Sequence, residues 1–298
     1  MNYLRAFAVS FALFAILSLS SCTDKGKELA KSQLIKGKEF FYESRYDSAL
    51  VFCNKALQSD SSLIEAEYYK GRCLGNLGKY EEAILSFEKC VAKKFVPDSV
   101  NYLIALSYFS LGNNKTRVSG KDSLANIFYQ KSVNHLDSAL RLNDKLYYAH
   151  IYKVNSFHNM DKFKEALDAV NKSILLFPDS LELFVHRAIE KSSLNDHKTA
   201  IDEFTELEKK ISDIDSFNAS MIYRYRGLSH SKLKEHRKAV EDFTRALDFE
   251  GDSELIYYNR AISYYNLRNK DKCCEDLRKS ADLGYIIAYD LIEKICGK

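Results

Sequence analysis

Histidine and cysteine are the residue types in this chain best suited to binding a metal or to acid–base and nucleophilic chemistry. The chain has 7 of each, and a helical metal site needs two such ligands three or four residues apart. No two histidines stand at that spacing, and no HExxH sequence occurs. Cys273 and Cys274 are adjacent, whereas a zinc or redox pair has two residues between its cysteines. The sequence therefore predicts no metal site and no catalytic thiol pair.

Sequence signatures of hydrolases and nucleotide-binding enzymes are also missing. The chain contains no GxSxG, Walker A or dinucleotide-binding motif, each of which would position a nucleophile or cradle a phosphate. Acidic and basic residues are interspersed and the net charge is only +3, so no basic tract suited to nucleic acid is present. We therefore predict a protein that is not an enzyme, needs no cofactor and has no nucleic-acid partner.

The elements that would position any binding residue are helices in a repeating register. Gly37 and Ala49 recur as Gly71 and Ala83, 34 residues later. Two antiparallel helices approach to about 8 Å only where neither carries a large side chain, so small residues recur where helices cross. The eighth position is small in all units but the fourth, and the twentieth is small in all. The predicted units cover residues 30–63, 64–97, 98–146, 147–180, 181–214, 220–253 and 254–287.

Two segments interrupt this register. In the third unit, Leu111–Gly112 predicts a turn, residues 113–131 replace a short link, and an amphipathic pattern from Ser123 predicts a lengthened second helix. Residues 214–219 form an extra connector before the sixth unit. We expect a basic loop ahead of the lengthened helix, containing Lys115, Arg117, Gly120 and Lys121.

The register resembles that of tetratricopeptide (TPR) repeats, and the resemblance covers residues 30–284. It implies an all-α fold, in which about seven helix-turn-helix repeats form an α-solenoid wound as a right-handed superhelix. Residues 285–298 then form a solvating C-terminal capping helix, which covers the last apolar face of the repeat array.

The resemblance also implies a concave groove lined by fixed positions of the first helices. Tyrosine rings give contact area and amides bond a peptide backbone, so the natural ligand is a protein or peptide segment. The alternative is that individual tyrosines only pack between repeats. Arg72 and Asn76 lie one helical turn apart and are suited to one carboxylate. The implied groove residues are Phe41, Tyr42, Tyr68, Arg72, Asn76, Tyr102, Phe109, Asn155, His158, Tyr258 and Tyr265.

The N-terminal sequence is typical of export. Arg5 precedes an apolar run over residues 6–19, which suits a signal-peptide core and is short for a membrane span. The run ends in Leu19-Ser20-Ser21-Cys22, which resembles the lipobox of bacterial lipoproteins. The resemblance implies that residues 1–21 are a lipoprotein signal peptide, that Cys22 carries fatty acyl chains such as palmitate, and that residues 22–29 are a polar tether. An ordinary cleaved signal peptide is the alternative.

These features predict a scaffold lipoprotein of the cell envelope that binds protein partners and is held at a membrane by the lipid on Cys22. Because Cys22 is not directly followed by Asp, the resemblance favours the outer membrane of a diderm bacterium. Alternatives are a capture lipoprotein for glycans or peptides, although the chain lacks the Trp that sugar platforms favour, and a regulatory subunit of an envelope hydrolase. The sequence does not indicate the oligomeric state.

The remaining cysteines have a structural interpretation. Cys53, Cys73 and Cys90 fall at or next to helix-packing positions, where a thiol acts as a small hydrophobe. An exported protein meets an oxidising compartment, so disulfides Cys53–Cys73 and Cys274–Cys296 both remain open.

Overall fold

The structure, a computed structural model, describes residues 24–95, 99–119 and 123–297, and these contain helices and turns but no strand. The predicted all-α class is confirmed. The signal peptide and Cys22 lie outside the described residues.

The helices are α1 (24–42), α2 (Tyr46–Ser59), α3 (Ile64–Asn76), α4 (Tyr80–Ala92), α5 (Ser99–Ser119), α6 (Ser123–Leu142), α7 (Tyr147–Asn159), α8 (Phe163–Leu176), α9 (Leu181–Ser193), α10 (His197–Glu208), α11 (Ser216–Lys232), α12 (His236–Glu250), α13 (Glu254–Asn266), α14 (Lys270–Asp282) and α15 (Ile286–Leu291).

The chain divides into two compact units, Met1–Tyr152 and Lys153–Lys298, and the division falls within α7. Within unit 1, α2 packs on α3, α3 on α4, α4 on α5 and α5 on α6. Within unit 2, consecutive helices from α8 to α15 pack on one another, and α11 also contacts α9 and α13. Each unit is thus built from contacts between sequence neighbours, which is the packing of a helical repeat.

The small residue near the middle of a first helix makes room for a ring from the second. A Cβ built on Gly71 would lie 2.7 Å from Cε1 of Phe87, and one built on Gly227 would lie 3.0 Å from Cε1 of Phe243. Both rings are fully buried. The absent side chain is therefore what lets α3 meet α4, and α11 meet α12, at close range.

The third repeat differs from the sequence-based expectation. Leu111 and Gly112 do not form a turn, because α5 continues through them to Ser119. A Cβ on Gly112 would lie 2.6 Å from the ring of Tyr129 on α6, so this glycine marks a close helix contact. Lys115 and Arg117 accordingly belong to α5 rather than to a loop, while Gly120 and Lys121 lie outside the described residues. The lengthened second helix is α6.

Two other predicted connecting segments are helical. Residues 24–29, assigned to the tether, belong to α1. These residues include several that favour helix. A Cβ built on Gly26 would lie 3.2 Å from the carbonyl oxygen of Ser59, so the first turn of α1 lies against the end of α2. Residues 216–219 are the first turn of α11, since Asp215 caps that helix by accepting from the N–H of Asn218.

The C-terminal segment covers the last hairpin, and both apolar and charged side chains are exposed on its outer face. Ala288 is buried in the core with Ala261 and Leu277, whereas Ile286 is 80% exposed. A single-turn π-helix, Ile292–Cys296, follows α15, and a disulfide joins Cys296 to Cys274. Of the two open disulfides this one is formed, while Cys53 and Cys73 are free, buried thiols.

An ion pair that the sequence patterns did not predict recurs at the same repeat position in three hairpins of unit 2. In each, an arginine on the first helix donates twice to a carboxylate 16 residues later on the second helix. For Arg226 and Asp242 the two N–O distances are 2.8 and 3.0 Å. Both side chains are buried, and Arg226 also reaches Glu208 of the preceding repeat. The three pairs are Arg187–Glu203, Arg226–Asp242 and Arg260–Asp276.

We expect Arg226→Met to lower the free energy of unfolding by about 3 kcal/mol, because it strands the buried carboxylate of Asp242. Urea denaturation would measure the change. The control is Arg245→Met, which removes an exposed arginine paired with Asp248 and should cost less than about 1 kcal/mol. The double variant Arg226→Met/Asp242→Leu should recover part of the loss. Equal effects of the first variant and the control would contradict this account.

Candidate functional site

A cleft of about 440 Å³ lies in unit 1, and we call it the unit 1 cleft. Residues of α3 and α4 form one side, and residues of α5 with Tyr152 of α7 form the other. Among the described residues that line it, none is acidic and Arg72 alone is charged. The lining residues are Gly71, Arg72, Gly75, Asn76, Tyr80, Phe87, Leu103, Leu106, Ser107, Phe109, Ser110, Asn113 and Tyr152.

Aromatic rings hold the guanidinium of Arg72 in place. Its central carbon lies 4.3 Å from the ring centroid of Phe41, 5.6 Å from that of Tyr68 and 5.4 Å from that of Tyr69. Cation–π contact favours this position without neutralising the charge. Within the described part of the chain no carboxylate forms an ion pair with Arg72, so its N–H groups can serve an anionic or carbonyl ligand.

Asn76 lies beside Arg72 as predicted but is partly committed to its own helix. Its Nδ2 donates to the backbone carbonyl of Arg72 at 2.9 Å. One N–H and the Oδ1 acceptor remain for a ligand. Arg72 and Asn76 can therefore contact one group together, with the arginine as the main donor.

Aromatic residues of α5 and α7 form the opposite wall. The ring centroid of Phe109 lies 5.2 Å from that of Tyr152, which in turn lies 6.2 Å from that of Tyr102. Burial raises the pKa of Tyr102 to about 12, so its hydroxyl stays neutral. Tyr152 was missed because the family positions do not include the sixth residue of a repeat. Its place in the Tyr-rich start of α7 was the only available signal.

Four predicted groove residues of unit 1 lie outside the lining, and Tyr102, which contacts Tyr152, is one of them. Phe41 is buried beneath Arg72, and Tyr68 is half-buried with its hydroxyl 3.0 Å from Oγ of Ser99. Tyr42 is 71% exposed, and its hydroxyl lies 3.1 Å from that of Tyr69. Phe41 and Tyr68 therefore act on the cleft indirectly, by supporting the guanidinium of Arg72.

The predicted groove residues of unit 2 are not brought into one cleft. His158 contacts Oε1 of the buried Glu190 through Nδ1 at 2.8 Å, and burial raises the pKa of Glu190. Asn155 is half-buried on α7. Tyr258 packs against Tyr285 with ring centroids 4.9 Å apart, which is a structural contact. Tyr265 is exposed and lines a separate cleft at the C-terminal end.

No helix in the described ranges is both long and apolar enough to cross a membrane. Across the same residues, histidine, cysteine and carboxylate side chains form no group of three that could hold a metal ion.

Comparison with known proteins gives the same repeat type. The family model for anaphase-promoting complex, cyclosome, subunit 3 matches residues 31–117. Anaphase-promoting complex subunit 7 of Homo sapiens and of Mus musculus is 36% identical over 62 residues, or 21% of this chain. The matched segment spans only 11% of the length of these relatives.

Solved structures match over most of the chain. A tetratricopeptide repeat protein from Parabacteroides merdae has a TM-score of 0.70 at 14% identity, covering 89% of this chain and 98% of that one. The Cut9–Hcn1 hetero-tetramer of APC/C gives a TM-score of 0.52 at 15% identity, with coverage of 88% and 55%. Such low identities establish the fold alone. The chain therefore has the fold of a TPR-type helical repeat.

Two glycines of α3 allow a direct test of the packing under the cleft. Gly71→Ala should lower the free energy of unfolding by roughly 1–3 kcal/mol, because its Cβ would collide with the buried ring of Phe87. Gly75→Ala should raise it by up to about 1 kcal/mol, because a Cβ there meets no atom within 4 Å and alanine favours helix. Thermal and urea unfolding would measure both. Equal destabilisation by the two variants would refute the assigned contact.

Proposed function

We propose that this protein is a scaffold that binds an extended segment of a partner protein in the unit 1 cleft. The observation that carries the proposal is the guanidinium of Arg72, fixed between aromatic rings in a cleft that contains no acidic residue. TPR-type folds commonly serve in protein interaction, and this cleft has the volume of a site for a few side chains.

The cleft offers complementary contacts to a peptide. Phe109 and Tyr152 provide rigid apolar area, which contributes strongly to interface affinity. Asn76 and Ser110 can bond backbone amides of an extended chain. Arg72 would pair with an acidic side chain or a carbonyl of the segment. A partner with one apolar and one acidic or polar residue, spaced to span the cleft, fits this arrangement.

Membrane attachment through Cys22 is the second part of the proposal. The apolar run over residues 6–19 and the Leu-Ser-Ser-Cys sequence support signal-peptide cleavage and lipid transfer to the thiol. Acyl chains contribute about 0.8 kcal/mol for each buried methylene, so several chains would hold the protein permanently at an envelope membrane. The outer membrane is the proposed location.

An array of short peptides, probed with purified protein and its variants, would test the cleft. We expect Tyr152→Ala and Phe109→Ala to weaken binding of the selected peptides about 10-fold or more, since they remove aromatic contacts. Gly75→Leu should also block binding, because its side chain would enter the cleft.

The matched control is Tyr148→Ala, which removes an exposed tyrosine on α7 that does not line the cleft. Peptide binding that survives all three cleft variants, or that is lost equally in the control, would exclude the unit 1 cleft. Selective binding on an oligosaccharide array, lost in the same variants, would instead support the capture alternative.

Metabolic labelling with an alkyne fatty acid would test the lipid anchor. The natural chain should carry the label and sediment with membranes, whereas Cys22→Ser should carry none and remain in the soluble fraction. Cys53→Ser is the control, because that thiol is buried and its replacement should leave the label in place. Labelling of the Cys22→Ser variant would show that the thiol is not the attachment site.

A further inference from the structure

A second cleft, of about 540 Å³, lies at the C-terminal end of unit 2, and we call it the terminal cleft. One wall is the turn between α13 and α14, and the other is the π-helical segment that follows α15. Its volume is within the range of small-molecule sites. The lining residues are Tyr265, Asn266, Arg268, Lys270, Lys294 and Ile295.

Half of the described lining residues are cations, and none is an acid. Arg268, Lys270 and Lys294 form no ion pair with any described carboxylate. Four other arginines of unit 2 are, by contrast, paired with acids: Arg187, Arg226, Arg245 and Arg260. Three positive charges that line one cleft repel one another, so an anion between them would be favoured.

The neighbouring acidic residues do not cancel this charge. Asp271 follows Lys270 in the first turn of α14, and Glu293 precedes Lys294, yet neither lines the terminal cleft. Arg268 has a positive φ of 59° in the turn, which places it between the two helices rather than on a helix face. The three cations therefore line the cleft, whereas Asp271 and Glu293 do not.

The disulfide fixes one wall of the cleft against the rest of the last hairpin. Cys296 directly follows Ile295 and is bonded to Cys274 in the second turn of α14. Tyr285, at the start of the same segment, contacts Tyr258 edge to face, and the hydroxyl of Tyr289 donates to the carbonyl of Ala281 at 3.2 Å. The segment carrying Lys294 is thus attached at both ends.

We propose that the terminal cleft binds a phosphate- or sulfate-type oxyanion carried by an organic group. Three cations suit a tetrahedral oxyanion with three terminal oxygens better than a carboxylate with two, and arginine and lysine are the usual phosphate-binding residues. The exposed ring of Tyr265 and the side chain of Ile295 provide an apolar surface for the attached organic group. This site is separate from the unit 1 cleft and does not depend on its function.

Calorimetric titration of the purified disulfide-bonded protein at low salt would test the site, with phenyl phosphate, phenyl sulfate, inorganic phosphate and benzoate as probes. We expect phenyl phosphate or phenyl sulfate to bind at least about 10-fold more tightly than benzoate, because three terminal oxygens can each contact a cation and a carboxylate has only two. Tighter binding of phenyl phosphate than of inorganic phosphate would identify an ester as the ligand. Flotation with phosphatidylcholine vesicles, with and without phosphatidic acid, distinguishes a lipid headgroup from a soluble ester.

The variant Lys270→Gln/Lys294→Gln should weaken binding at least about 10-fold by removing two of the three charges. The matched control Lys272→Gln/Arg278→Gln removes two charges from α14 outside the cleft and should bind as the natural chain does. Reduction of the disulfide should also weaken binding, because it releases the wall that carries Lys294.

No binding of either ester, or equal binding by both charge variants, would overturn the proposal. Binding that is unchanged after reduction would show that the terminal segment does not form a wall of the site, and would equally refute it. These outcomes are independent of whether the unit 1 cleft binds peptides.

Discussion

Close approach of paired helices at small residues is the constraint on which the rest of the structure depends. Where α3 crosses α4, the missing Cβ of Gly71 is replaced by the ring of Phe87, and the same exchange occurs at Gly227 and Phe243. The ring fills the space, so the core is closed between neighbouring helices without any long-range pairing. The open floor of the unit 1 cleft is instead at Gly75, one helical turn further along α3, where a Cβ would meet no atom within 4 Å.

Two arginines, Arg226 of unit 2 and Arg72 of unit 1, have opposite roles. In unit 2, Arg226 is buried and satisfied by Asp242 and Glu208, so its charge is used to join helices and adjacent repeats. In unit 1, Arg72 is surrounded by aromatic rings and has no carboxylate partner among the described residues. Burial with a partner makes an arginine structural, whereas burial against rings leaves its hydrogen-bonding capacity for a ligand. The residue type alone does not distinguish the two cases.

The predicted groove is only partly realised as a single site. Arg72, Asn76 and Phe109 line one cleft, because the first helices α3 and α5 lie side by side. Tyr68 and Phe41 support that cleft from behind, while Tyr258 is used in packing the C-terminal segment. Position within a repeat specifies the side of the helix on which a residue lies. Whether that residue is buried depends on the adjacent repeats. The repeats differ in length, because α5 is extended and α11 begins earlier than the repeat register predicts.

The sequence by itself determined the helical-repeat fold and the crossing points, because small residues at a fixed period are a local and additive signal. It also marked Arg72 and Asn76 as neighbours, since one helical turn separates them. Only the tertiary structure decided that Gly112 is a packing contact rather than a turn, that Cys274 pairs with Cys296, and that Tyr152 completes the cleft. Each of these depends on the distance between residues of different helices, which spacing along the chain does not specify.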